Sequence, residues 1–113
     1  MPSDVTGPAI IEYIRYDLPP DRRAAFEAAY ARVGGILTAS PHCLGWELRR
    51  SVEEPGHYVV RIEWDSLAGH VQGFRESAPF PAFFGELSVF AEFRLEMEHF
   101  ELVRNQLSTA ESQ

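Results

Sequence analysis

An α+β fold, with one four-stranded antiparallel sheet carrying helices on a single face, is predicted by three observations on this 113-residue chain. Segments 9–16, 43–52, 58–64 and 91–103 have strand composition or apolar/polar alternation with period two. A stretch with apolar residues at helical spacing separates the first from the second, and two short helical pieces separate the third from the fourth. The order strand, helix, strand, strand, helices, strand is that of two split strand-helix-strand units, a βαββαβ ferredoxin-like sandwich.

The first strand, Ala9 to Tyr16, is rich in Ile and Tyr and stops at Asp17-Leu18-Pro19-Pro20, where proline cannot continue a ladder. Pro20 suits the first turn of a helix and Asp21 complements its positive end. Phe26, Tyr30 and Val33 then recur at helical spacing, so a helix is expected from about 20 to 34 or slightly beyond, weakened by Gly34-Gly35. Leu44, Trp46 and Leu48 alternate with Glu47 and Arg49, and Glu53-Glu54-Pro55-Gly56 turns the chain into Tyr58, Val60, Ile62 and Trp64, which makes a hairpin. Asp65-Ser66 reads as a cap for a helical piece running to about Arg75, and a second piece follows Ser77 with Pro79 in its first turn and Phe80, Phe83, Phe84 and Leu87 on its apolar face. Phe93, Leu95, Met97 and His99 alternate with Glu92, Arg94, Glu96 and Glu98, an expected strand of about thirteen residues where five or six is usual. The sheet face away from the helices is expected to carry Glu12, Glu47, Arg49, Arg61, Glu63, Arg94, Glu96 and Glu98. Such an Arg/Glu surface suits either solvent or the same face of a second copy, and the overlong last strand points to a dimer. Residues 1–8 read as a flexible N-terminus, 9–103 as one domain and 104–113 as a polar tail.

At this length one domain can bury a core without staples. A formal charge of −7 would repel phosphate backbones and anionic lipid, so no nucleic-acid or membrane partner is expected. The first residues lack a signal-peptide pattern and no apolar run reaches the roughly 20 residues of a membrane span, which gives a cytoplasmic expectation. Cys43 is the sole cysteine and reads as a small apolar residue, while the ten basic residues are all Arg, which removes any lysine-based mechanism. Four histidines are present, yet no His-x-x-x-His or Glu-x-x-His pair falls on one helix, so no metal and no cofactor is expected. Gly-rich phosphate loops and a Gly-flanked nucleophilic serine are missing too.

Attention therefore falls on Glu63-Trp64-Asp65-Ser66, leading through a short helix to His70 and on to Gly73-Phe74-Arg75. A strand ending on a flat aromatic, a capped helix and an imidazole outline a pocket rim. The element order, this junction, the Phe-rich short helix and the terminal Met97-Glu98-His99-Phe100-Glu101 resemble the antibiotic biosynthesis monooxygenase (ABM) superfamily of dimeric α+β barrels, over residues 9 to about 103. The resemblance implies a homodimer whose two sheets face each other, with an apolar cavity in each subunit between sheet and helices. Several members oxidise polycyclic phenols, anthrones or quinols with molecular oxygen and neither metal nor flavin; relatives degrade haem, and others have no known activity.

On that resemblance the chain is expected to be a cofactor-independent monooxygenase of a small aromatic. Its rival is a non-catalytic dimeric module binding an apolar ligand or a protein. The chemistry needs an apolar pocket, a proton acceptor and a donor for a developing oxyanion. His70 is the candidate acceptor, Trp64 the stacking wall, and Arg75 the oxyanion donor, with Arg61 and Arg94 as alternatives. Tyr13, Tyr58, Phe74, Phe80, Phe83 and Phe84 are the candidate pocket residues, while His57 and His99, near strand ends, are expected in solvent or at the dimer contact. Haem-degrading relatives use a first-strand asparagine, a tryptophan late in the helix after the junction and a histidine on the next helix. Here the first strand has no asparagine, and Gly73 or Phe74 and Phe83 or Phe84 occupy the other two regions, which counts against haem.

Overall fold

The computed structural model describes residues 8–105. The N-terminal segment 1–8 and tail 104–113 lie outside that range except for Pro8, Arg104 and Asn105. Four strands, β1 (Ile10–Asp17), β2 (Cys43–Arg50), β3 (His57–Trp64) and β4 (Arg94–Glu101), form one antiparallel sheet in the order β2-β3-β1-β4. With α1 (Pro20–Ala39) and α2 (Phe80–Leu87) packed on one face, this is the ferredoxin-like α+β arrangement.

The α1 face toward the sheet is Phe26, Ala29, Tyr30, Val33, Gly34 and Leu37, the i, i+3, i+4 pattern that buries one stripe of a helix. Contrary to the expected stop near Gly34-Gly35, the helix continues to Ala39. Gly34 is there for close approach: a Cβ would run into the indole of Trp46 on β2. Helix packing overrides the weak intrinsic propensity of glycine.

Two aromatic groups fill the layer between sheet and helices. Phe26 contacts Tyr16, Tyr30, Tyr58 and Phe90 with centroids 4.7–5.3 Å apart. Phe74 gathers Trp64, Phe80 and Phe83 at 5.1–5.5 Å.

Three expectations are corrected. The last strand has eight residues, because Ser88–Phe93 forms a 3₁₀ turn that seats Phe90 and Phe93 under the Arg22 guanidinium. The strand-length case for a dimer therefore falls. Glu12 and Arg94 belong to the helix-covered face: Ile10, Glu12, Ile14 and Tyr16 are the buried positions of β1, and a bulge at Leu95 sets Arg94 opposite Tyr16. The outer face instead mixes Ile11, Tyr13, Val59 and Phe100 with Glu47, Arg49, Arg61, Glu63 and Glu98. Among the described residues no helix is long and apolar enough to cross a membrane.

Candidate active site

The junction after β3 is built by local hydrogen bonds. Ser66 Oγ accepts the Gly69 N–H at 2.9 Å, so Ser66 is the cap, while Asp65 Oδ2 pairs with His42 Nδ1 at 3.0 Å. A side chain at Gly69 would collide with that pair. The helix that follows is wound as a π-turn, Gly69–Phe74, whose hydrogen bond from Arg75 N–H to His70 O spans five residues at 3.1 Å. Its inward side chains are His70 and Phe74, both buried.

His70 stacks on the indole of Trp64, with centroids 4.4 Å apart and planes 9° from parallel. The Trp64 N–H donates to Glu12 Oε1 at 3.0 Å, and the same oxygen lies 3.6 Å from His70 Nε2, a polar contact longer than a hydrogen bond. On the other edge of the ring, His70 Nδ1 and His99 Nε2 are 2.8 Å apart, so one of them holds the proton and the other accepts it. Glu12 from β1, His70 from the π-turn and His99 from β4 thus form one buried polar chain. His99 is its half-exposed end.

Burial governs the proton affinities. It pushes His70 down to about 3, helped by the Arg75 guanidinium and by His99, so the imidazole is neutral at neutral pH. His99 is lowered by burial and Arg75 in the same way. Burial raises Glu12 above the ordinary carboxylate range, opposed by the Trp64 hydrogen bond and by Arg75 and Arg94. The Cys43 thiol is likewise raised by burial, which suits an inert side chain rather than a nucleophile.

This chain borders a cavity of about 430 Å³. Its apolar wall is Trp64, Phe74, Phe80, Phe83 and Leu87, with Arg75, Phe84, Arg94 and Met97 along its exposed side. Of the residues expected at the site, His70, Trp64, Arg75, Phe74, Phe80, Phe83 and Phe84 all line it. Two do not. Tyr13 lies on the outer face, edge-on to Phe100, and Tyr58 faces a separate shallow pocket where its hydroxyl donates to Glu27. His99, expected in solvent or at the dimer contact, is half-buried and bonds His70 within this subunit.

Glu12 went unrecognised because β1 carries apolar residues at both parities. Arg15 and Asp17 at the odd positions were the available signal: they mark the outward face and leave Glu12 inward with Ile10, Ile14 and Tyr16. The Glu12, His70 and His99 donor atoms lie within 4.8 Å of one another, so these three could hold a metal ion. A search for ligand pairs along one helix does not see a set drawn from three elements.

A ferredoxin-like sheet and helices surround a chamber of small-molecule size with a titratable cluster in its wall. The antibiotic biosynthesis monooxygenase family matches residues 9–86, and the chain belongs to that family. YczJ, an uncharacterised protein of Bacillus subtilis (strain 168), is 28% identical over 76 residues, covering 67% of this chain and 80% of its own. A structure from Bordetella bronchiseptica, assigned to the antibiotic biosynthesis monooxygenases, is 29% identical with a TM-score of 0.74, over 87% of this chain and 100% of the other. SnoaB, a cofactor-independent oxygenase from Streptomyces nogalater, has a TM-score of 0.73 at 16% identity, over 88% of this chain and 97% of its own, a likeness of fold alone.

Proposed function

We propose that the chain is a cofactor-independent monooxygenase of a small aromatic, a quinol, an anthrone or a similar phenol. The observation that carries the reading is the Glu12-His70-His99 chain in the wall of an aromatic cavity. The substrate reduces oxygen itself: SH₂ + O₂ gives SO + H₂O, with one oxygen atom inserted and the two hydrogens leaving in water. The step needs a site that removes a proton from the substrate and holds the anion that reacts with oxygen.

A lone imidazole held down to about 3 is a poor store for a proton taken from a phenol. His70 therefore passes a proton rather than keeping it: a proton arriving at Nε2 while another leaves Nδ1 toward His99 keeps the ring neutral throughout. Glu12, its proton affinity raised by burial, is the resting place nearest the cavity. Arg75 faces the resulting oxyanion, Trp64 and the phenylalanines Phe74, Phe80, Phe83 and Phe84 hold the rings, and exclusion of water strengthens each charge interaction.

The same reading includes a homodimer through the outer sheet face, supported by half-buried Ile11, Tyr13 and Val59 and exposed Phe100 among charges of both signs, and a cytoplasmic location. Oxygen uptake with anthrone and with naphthoquinol tests the chemistry. One O₂ per substrate without hydrogen peroxide is expected, and Glu12→Gln or His70→Ala should each slow turnover about 100-fold. No uptake with either substrate class, or variants as fast as the parent, overturns the assignment.

A further inference from the structure

Glu12, His70 and His99 come from three elements, β1, the π-turn and β4, and bring one carboxylate oxygen and two imidazole nitrogens within 4.8 Å of one another. An ion held at about 2.0–2.1 Å spaces tetrahedral ligands about 3.4 Å apart. Glu12 Oε1 and His70 Nε2, at 3.6 Å, stand close to that separation without a hydrogen bond between them. His99 is half-buried on the edge strand β4, and a shift of about 1–2 Å at the end of its side chain closes the set. The two inner ligands are already held: Glu12 Oε1 accepts the Trp64 N–H at 3.0 Å, and the His70 ring lies flat on the same indole. Outer contacts of this kind orient metal ligands.

Glu12 is 2% exposed, and among the described residues no guanidinium stands within 4.0 Å of its carboxylate. A buried carboxylate without a counter-ion in contact calls for either a proton or a cation. Two imidazoles with one carboxylate suit zinc and its first-row neighbours, whereas magnesium and calcium prefer oxygen ligands alone. Three protein ligands leave a fourth position, and Glu12 and His70 both border the cavity from which it would be filled. Arg75 acts electrostatically on all three residues and Arg94 on Glu12, so both repel an incoming cation and weaken the site.

We propose that Glu12, His70 and His99 bind one zinc-class divalent cation, and that the bound ion excludes proton transfer through them. A ring nitrogen whose lone pair is on an ion cannot accept a proton, and a carboxylate neutralised by the ion no longer draws one. The ion is thus a reversible brake on the proton chain. The brake rests on the proposed function, whereas the binding does not.

The test is calorimetric titration of the chelator-stripped full chain with zinc chloride at pH 7.5, repeated with magnesium chloride. One zinc per chain with a Kd of about 10 µM or tighter is expected, with magnesium at least about 100-fold weaker. Glu12→Gln and His99→Ala should each weaken zinc at least about 10-fold, and His99→Ala, the less buried of the two, decides the matter if Glu12→Gln does not fold. Arg75→Gln should tighten zinc about 3-fold as a repelling charge is removed. His42→Ala, which removes the separate pair with Asp65, should leave it unchanged. Oxygen uptake with anthrone or naphthoquinol should fall over the same zinc range and recover with EDTA. A Kd above about 1 mM, magnesium as tight as zinc, an affinity unchanged in both Glu12→Gln and His99→Ala, or one abolished by His42→Ala overturns the site. Full or faster turnover with zinc bound overturns the brake and leaves the monooxygenase reading standing. Zinc binding as expected in a chain that takes up no oxygen with either substrate upholds the site, while the monooxygenase reading falls and the brake with it.

Discussion

Replacing His70 by phenylalanine should remove a specific acid sensitivity. The native imidazole binds a proton only near pH 3, whereas in the unfolded chain it does so near its ordinary 6.5. Below 6.5 the unfolded state thus binds more protons than the native state, and stability is lost as pH falls from 6.5 toward 3; above 6.5 the effect vanishes. At pH 5 the loss assigned to His70 is about 2 kcal/mol relative to pH 7.5. His99, also lowered, acts in the same direction, while Glu12, raised by burial, acts in the opposite one, regaining stability as it protonates. Both remain in the variant. His70→Phe keeps a flat ring against Trp64, so its packing cost is a constant offset and the quantity to follow is the parent-minus-variant stability difference against pH. Urea midpoints at pH 7.5, 6 and 5 measure it, and the difference should move by about 2 kcal/mol against the parent on acidification. A flat difference, or a His70 ring proton titrating near 6.5 by NMR, would show that this imidazole is solvated and that the polar chain does not exist in solution.

Adjacent glycines in α1 should respond with opposite signs. Gly34→Ala drives a methyl into the Trp46 indole and should cost about 1–3 kcal/mol, while Gly35→Ala, with nothing near its Cβ, should gain about 0.5–1 kcal/mol from helix propensity; thermal melts that rank them the other way would refute the packing account. Light scattering should give about twice the 12.8 kDa subunit mass, and a single-subunit mass at micromolar concentration would remove the proposed dimer.

Much of the architecture is legible in the sequence because it is written in period and punctuation. β3 buries Tyr58, Val60, Ile62 and Trp64 as strict alternation requires, and α1 buries Phe26, Ala29, Tyr30 and Val33 as a helical stripe requires. One misreading comes from two elements meeting in phase. Phe93, Leu95 and Met97 alternate with Glu92, Arg94 and Glu96 straight across the boundary between the 3₁₀ turn and β4, and only the bulge at Leu95 breaks the pattern. Gly34-Gly35 is read as a helix end by propensity, whereas tertiary contact with Trp46 holds the helix through it.

The site is less legible because its members lie far apart in the chain and each has an ordinary local explanation. Glu12 looks like a surface charge and His99 like an edge residue. Glu12 and His70 are out of place in a well-packed interior: a buried carboxylate held by one indole N–H and a buried imidazole kept neutral by its surroundings. Apolar residues of similar size at these positions would avoid every desolvation penalty, so packing does not account for the choice. Both line the one cavity, and His99 leads from it toward solvent. Undercompensated polar groups gathered around an empty chamber are what a protein retains when the compensation comes from the molecule that enters it.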